Sequence, residues 1–227
     1  MDTAALPGMK TPAIQITSAL SMYYGGMSLN GIRRHLEQQY NNRTPDSTVY
    51  EWLDRFTKQA VREAKDYTPK MCDVWVADET VVKVGGKKLW LIDIIDHDTR
   101  FLLASRLSLN MGKKDIAISL RKAYLKADKA PERIITDGWK VYPAAVDLAF
   151  GGEARHVVST PFVDVDSTNV IERFQGSLKD RTRVMRGLKK KETVELLLDG
   201  WLIHYNFFRP HESLEDRTPA EKADIIH

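Results

Sequence analysis

The chain of 227 residues has a single cysteine, Cys72. One thiol excludes an internal disulfide and any multi-cysteine zinc site, and a reducing cytoplasm is the expected compartment. Long apolar runs are missing as well. A membrane span needs ~20 consecutive apolar residues, and the most apolar stretch, residues 196–208, is broken by Asp199, Gly200, His204 and Asn206. No membrane association is expected. The N-terminal MDTAALPGMK lacks a basic start followed by an apolar stretch, which argues against a secretory signal. Internal repeats, low-complexity tracts and clusters of histidine are also lacking. What remains is an ordinary globular composition, 43% apolar and 29% charged, sufficient for one or two domains with a real core.

Net charge is only +3, but its distribution is uneven. Between Arg173 and Lys191 stand eight cations (Arg173, Lys179, Arg181, Arg183, Arg186, Lys189, Lys190, Lys191) against one acid, Asp180. Such a local excess is a footprint for phosphate; the alternative is a solvated helix face and loop.

Periodicity divides the chain. Residues 1–11 read as a flexible arm. Residues 12–66 read as three helices, at 13–24, 29–40 and 48–64. Gly25-Gly26 stops the first, Ser28 caps the second, and Asp46 or Ser47 caps the third. The third carries Val49, Trp52, Leu53, Phe56 and Ala60 on one stripe and exposes Thr48, Glu51, Arg55, Lys58 and Arg62. A helix-turn-helix unit places such a helix in the DNA major groove, which makes Thr48, Arg55 and Lys58 candidate DNA contacts. Small bundles that bind nothing share the same pattern. KDYTPKM, residues 65–71, is a polar connector.

From Asp73 the period changes to two. Strands are expected at 74–84, 88–95 and 101–107, joined by Gly85-Gly86 and by the turn at 96–99. A helix at 113–127, a strand at 133–136, a helix at 139–150, a strand at 154–159 and helices at 167–183 and 192–207 complete an order of βββ-α-β-α-β-α-α. The fold class is α/β, a mixed five-stranded sheet over residues 72–207 preceded by an all-α unit, with 208–227 as a C-terminal tail.

This order makes the first and fourth strands central neighbours. Asp78 lies in the first, Asp137 ends the fourth, and Glu172 sits on the helix after the fifth. Two Mg²⁺ ions about 3.5–4 Å apart can generate a nucleophile and stabilise a leaving oxygen at a phosphodiester. Mg²⁺ takes oxygen ligands and needs only one or two carboxylates per ion, so three acids on rigid elements suffice. Neighbouring strand residues point to opposite faces, so Asp78 and Glu79 are not expected to share one metal. Asp78 is preferred because it ends a run of small and apolar residues, with Val74 and Val76 on its face, where an acid is costly without a partner or metal. Glu79 is assigned to a supporting role or the surface. By helical phase Glu172 opposes the stripe Val170, Ile171, Phe174 and Leu178, and shares its face with Gln175, Gly176, Lys179 and Arg183. Asp93, Asp96 and Asp98 are the competing acids, the last two in a turn where Asp is common.

The blocks VADET, ITDGWKVY, NVIERFQGSLKDRTRVMRGLKKKET and WLIHYNFFRPHESLEDRTPAEKA resemble those of the DDE transposases of prokaryotic insertion sequences, in the compact group typified by insertion sequence six. The resemblance covers about residues 72–221 densely, and the 34 residues between Asp137 and Glu172 fit the group's pattern. MSLNGIRRHLEQQY and PDSTVYEWL are similar to that family's helix-turn-helix. A cysteine-rich zinc element, carried near the N-terminus by many transposases, has no counterpart here.

The resemblance implies a ribonuclease-H-like, integrase-type core. It implies that Asp78, Asp137 and Glu172 are the catalytic acids, binding two Mg²⁺ or Mn²⁺ ions. It places Lys179, two helical turns after Glu172, near DNA, with Arg181, Arg183, Arg186, Lys189, Lys190 and Lys191 as further candidate contacts. The implied reaction is hydrolysis of a phosphodiester at the element's ends, followed by attack of the freed 3′-OH on target DNA. Double-stranded DNA is the partner and a homodimer or higher homo-oligomer the working form, in a prokaryotic cytoplasm beside the nucleoid. No Ser or Tyr nucleophile is required. Tyr142 and Tyr205 fall to packing or DNA contact, Trp139 to packing or base stacking, and His97, His156, His204 and His211 to structural or surface roles. Two alternatives remain: a nuclease of this fold without strand transfer, and a non-catalytic helix-turn-helix DNA-binding protein.

Overall fold

The computed structural model describes residues 6, 8–159, 168–185 and 187–225. Three helices open the chain: α1 (Ala13–Tyr24), α2 (Leu29–Tyr40) and α3 (Asp46–Glu63). Ser28 caps α2 as expected, its hydroxyl accepting from the Gly31 N–H at 3.1 Å. The start of α3 differs. Pro45 occupies the cap position, and Asp46 falls inside the first turn, where its charge complements the helix dipole.

Strands β1 (Val74–Val84), β2 (Lys87–Asp96) and β3 (Leu102–Ser108) form an antiparallel meander. Helix α4 (Lys113–Ala127), β4 (Arg133–Thr136), α5 (Tyr142–Phe150), β5 (Arg155–Val158), α6 (Asn169–Arg183), α7 (Lys191–Phe207) and the short α8 (Pro219–Lys222) follow. The sheet order is β3-β2-β1-β4-β5, with β4 parallel to both of its neighbours. Helix α5 starts three residues later than periodicity suggests, with Pro143 in its first turn; a proline is tolerated there because its missing N–H has no helical partner in any case.

Both faces of the sheet are covered. On one, Trp75, Ala77, Ile92, Ile94 and Ile134 pack with Ile116, Leu120, Tyr142 and Val146 of α4 and α5. On the other, Val76, Leu91 and Ile135 pack with Ile171, Phe174 and Leu178 of α6 and Leu197 and Trp201 of α7. That second core continues without a break into Ile16, Ile32, Leu36, Val49 and Trp52 of the first three helices. The N-terminal unit is therefore seated on α6 and α7 rather than tethered beside them. Leu6 and Met9, from the segment expected to be a flexible arm, pack partly buried against the same core.

The C-terminal segment is not a loose tail either. Leu214, Ala220, Ala223 and Ile225 are buried, and the Lys70 N–H donates to Ala223 O at 2.9 Å. Among the described residues no helix is long and apolar enough to cross a membrane.

At the start of edge strand β3 one side chain pairs both backbone groups of Leu102. The Nδ2 of buried Asn206 donates to Leu102 O at 2.9 Å, and its Oδ1 accepts from Leu102 N at 2.8 Å. Asn206→Ala leaves a buried N–H and C=O unpaired and is expected to lower the unfolding free energy by about 2–4 kcal/mol. Denaturant titration measures this, and a loss below about 0.5 kcal/mol, the range of an ordinary surface change, contradicts it.

Candidate active site

The ladder between β1 and β4 covers only Val74–Val76 and Arg133–Ile135. Beyond it β1 runs on while β4 stops at Thr136, which opens a notch in the middle of the sheet. Asp78 lies on β1 at the mouth of this notch and Asp137 immediately follows β4. The turn after Asp137 requires glycine. Gly138 has φ +90°, and a Cβ there would stand 2.6 Å from Val158 Cγ1. Its N–H donates to Thr136 Oγ1 at 3.2 Å, and the Trp139 N–H donates to Asp137 Oδ1 at 3.2 Å.

Carboxylate oxygens of Asp78, Glu79 and Asp137 all lie within 4.8 Å of one another. The presence of Glu79 departs from the expectation that opposite strand faces keep it away from Asp78. Asp78 and Glu79 do start from opposite faces of β1, but the notch has no neighbouring strand, so both side chains can turn around the open edge. The Tyr142 hydroxyl fixes Glu79 by donating to its Oε2 at 2.7 Å. Tyr142 is fully buried and stacks on His156, so it belongs to packing.

Glu172 lies in the first turn of α6, exposed, with its Oε1 accepting from Thr168 Oγ1 at 3.0 Å. It stands outside the tight group but close enough to act electrostatically on Asp78. The predicted trio is therefore brought to one locality, with Asp78 and Asp137 in oxygen–oxygen proximity and Glu172 on the nearby helix, bonded to Thr168.

Burial pushes the Asp78 carboxyl up to about 6, and the charges of Asp137 and Glu172 add to the rise. Burial likewise pushes Glu79 up to about 7, with Asp78 and Asp137 adding. Asp93, paired across the strands with Asp78, is fully buried and raised to about 7 by that burial, while the Ser105 hydroxyl donating to it at 2.6 Å opposes the shift. Among the described residues none of Asp78, Glu79, Asp137 or Glu172 is paired with a Lys or Arg. A crowded, all-oxygen set without a countercharge fits a hard divalent cation. The other competing acids are explained structurally: Asp96 accepts from Thr99 N at 2.9 Å and from Cys72 N at 2.9 Å, and Asp98 pairs with His97.

Helical phase misplaced Gln175. It lies about 60° from Glu172 but only about 40° from Ile171 at 100° per residue, and it follows the apolar face: it is 5% exposed, with its Oε1 accepting from Thr80 Oγ1 at 2.8 Å. Gly176 does open onto solvent beside Glu172 and Lys179.

Arg181 is a correction among the basic candidates. It is 2% exposed and its guanidinium lies over the Tyr23 ring at 4.0 Å, locked between α6 and α1. Being two residues after Lys179, it turns to the opposite side of the helix. Lys179, Arg183, Lys189, Lys190 and Lys191 are exposed, with Arg183 near Asp180 and Lys191 near Glu195. Arg186 lies outside the described residues. The segment before α7 is anchored by Gly85, whose N–H donates to Leu188 O at 2.8 Å; a Cβ at Gly85 would meet Lys189 O at 2.9 Å. On α3, Thr48 is half-buried, Arg55 is exposed and lies beside Phe56 and Met9, and Lys58 pairs with Asp54. His204 and His211 are held down to about 4 by burial, Arg209 adding to both, as fits structural histidines.

Carboxyls raised above their unfolded values bind protons in the native state that the unfolded chain has released. Between about pH 4 and 7 this makes stability fall as pH rises; His204 and His211, depressed, act in the opposite sense below about pH 6.5. The difference between wild type and Asp78→Asn isolates the acid contribution. In the absence of metal, the melting temperature of Asp78→Asn is expected to gain on wild type as pH goes from 4.5 to 8. A gap that stays constant or narrows contradicts the raised carboxyl.

Comparison with known proteins agrees with this geometry. Residues 72–211 match the family described as the DDE domain. Over 146 residues the chain is 26% identical to an uncharacterised protein of insertion element IS136 from Agrobacterium fabrum, covering 60% of this chain and 74% of that protein; the corresponding protein of Agrobacterium tumefaciens matches equally. The HTLV-2 integrase catalytic core, solved in complex with magnesium, superimposes with a TM-score of 0.50 in its dimeric form and 0.52 in its trimeric form, each at 14% identity. These cover 67% and 69% of this chain and 94% and 97% of the integrase core, and show a shared ribonuclease-H-like fold. With more than half of its length inside the family's domain and its acids gathered in the central notch, the chain belongs to the DDE transposases of insertion sequences.

Proposed function

We propose that this transposase hydrolyses the phosphodiester at each end of its element and transfers the freed 3′-OH into target DNA. The observation that carries the reading is the uncompensated group of carboxylates at the notch between β1 and β4. Asp78, Asp137 and Glu172 are the residues that would hold two divalent ions, Mg²⁺ or Mn²⁺. When bound, such ions lower the pKa of an attacking hydroxyl and offset charge on the leaving oxygen. The protein's own part is to keep the acids close and desolvated and to present phosphate-binding cations around them. Tyr142 restrains Glu79, which serves as a neighbour to the trio rather than as one of its members.

The exposed Lys179, Lys189, Lys190 and Lys191 lie on or after the helix that carries Glu172, and supply backbone contacts to double-stranded DNA at the terminal repeats and the target. The three-helix unit, seated on α6 and α7, is the candidate for reading the repeats through Thr48, Arg55 and Lys58 of α3. A homo-oligomer brings two ends together; the dimeric and trimeric forms of the HTLV-2 integrase core support that expectation.

The test is strand transfer with pre-cleaved DNA ends and a plasmid target. Asp78→Asn, Asp137→Asn and Glu172→Gln are expected to abolish joining while DNA binding persists. Glu79→Gln, which keeps an acceptor for Tyr142, is expected to stay within about tenfold of wild type, or ~1.4 kcal/mol in barrier. Full loss in Glu79→Gln with activity kept in Glu172→Gln would reassign the third acid. Nicked products without joining would leave a nuclease.

Salt dependence separates the cations. Lys179→Ala is expected to reduce the slope of log affinity against log salt by about 0.9, one phosphate contact. Arg181→Met is expected to leave the slope unchanged and lower the melting temperature. The reverse pattern contradicts both placements.

A further inference from the structure

Beneath the acids runs a buried polar chain that the reaction does not use. Gln175 accepts from Thr80 Oγ1 at 2.8 Å through Oε1, and its Nε2 donates to Asp93 Oδ2 at 3.5 Å. Asp93 in turn accepts from Ser105 Oγ at 2.6 Å. One amide on α6 thereby grips β1 and β2 directly and β3 through Asp93. The amide also hydrogen-bonds the Asp78 carboxylate, which opposes the rise that burial causes there. The other two partners flank Asp78, Asp93 opposite it on β2 and Thr80 two positions along β1 on the same face. Gln175 also follows Glu172 by three residues, less than one helical turn.

The other anchors of α6 on the sheet are apolar. Ile171, Phe174 and Leu178 are buried there, and such packing is non-directional. It favours a close fit of helix and sheet, to which a directional bond adds a restraint of its own. Hydrogen bonds are directional and gain strength where water is excluded. The amide is also chemically specific. It needs an acceptor for Thr80 and a donor for Asp93 on one planar group, which neither Glu nor Met supplies.

We infer that Gln175 is a positioning residue whose bonds to Thr80, Asp93 and Asp78 fix where Glu172 and the Asp78 carboxylate stand relative to each other, and so set the affinity of the site for divalent cations. This rests on the metal-binding reading proposed above.

The experiment is Mn²⁺ titration of the full chain, followed by the electron paramagnetic resonance signal of free Mn²⁺, with thermal melting and gel-shift DNA binding run alongside. Gln175→Met keeps length and bulk but none of these hydrogen bonds. It is expected to bind Mn²⁺ about 10- to 100-fold more weakly, the usual cost of losing a group that orients metal ligands, while remaining folded and binding DNA. Asp93→Asn retains an acceptor for Gln175 and is expected to stay close to wild type. Gln175→Asn, one methylene short of reaching all three partners, serves if the Met variant does not fold, and is expected to weaken Mn²⁺ similarly.

Unchanged Mn²⁺ affinity in a folded Gln175 variant overturns the inference when Glu172→Gln, in the same titration, does weaken binding. Failure of both Gln175 variants to fold also overturns it, by assigning the residue to stability. A wild-type chain that takes up no Mn²⁺, or a Glu172→Gln variant that binds as tightly as wild type, sinks the metal-site reading itself.

Discussion

Like charges held together at the edge of water are the constraint around which this molecule is built. Asp78, Glu79 and Asp137 crowd within 4.8 Å, and burial has already raised two of them well above ordinary carboxylates. Left alone, such groups would repel one another or take up protons. The fold resists the first by placing Asp78 and Glu79 on β1 and Asp137 directly after β4. β1 is the central strand of the sheet and β4 ends abruptly at the Gly138 turn. The shortfall of β4 against β1 turns a regular sheet into a notch, and the notch allows side chains from both faces of β1 to meet.

Helix α6 connects this centre to the rest of the chain. Its first turn carries Glu172, its buried side holds Gln175, and its last turn carries Arg181 over Tyr23 of α1. Tyr24 of the same helix hydrogen-bonds Thr57 of α3 and stacks on His204 of α7. The helix that bears Glu172 is thus packed directly on the N-terminal helices. A buried guanidinium on an aromatic face is a costly way to join two units unless its position matters.

Much of this was legible in the residues. The switch from helical to alternating periodicity at Asp73, the Gly85-Gly86 turn and the order of strands located α1 to α7 and all five strands to within a few residues, but not α8. Asp78 and Asp137 could be chosen because strand placement restricts acids far more than spacing does. Other features depend on three-dimensional facts that periodicity does not carry. Glu79 joins Asp78 only because β4 stops early. Gln175 sits between the polar and apolar faces of α6, where an angle of tens of degrees decides burial. Arg181 reads as one more cation in a basic run until α1 is seen to cover it. Residues beyond 207 look like a tail in polarity, yet four small or apolar side chains, Leu214, Ala220, Ala223 and Ile225, suffice to bury them against the core.

The most direct measurement is anomalous diffraction from crystals soaked in Mn²⁺. The account predicts anomalous peaks in the notch, within coordination distance of Asp78 and Asp137, with Glu172 turned toward them. Crystals that show no peak there at saturating Mn²⁺, or that bind the ion at other acids while the notch stays empty, would contradict it.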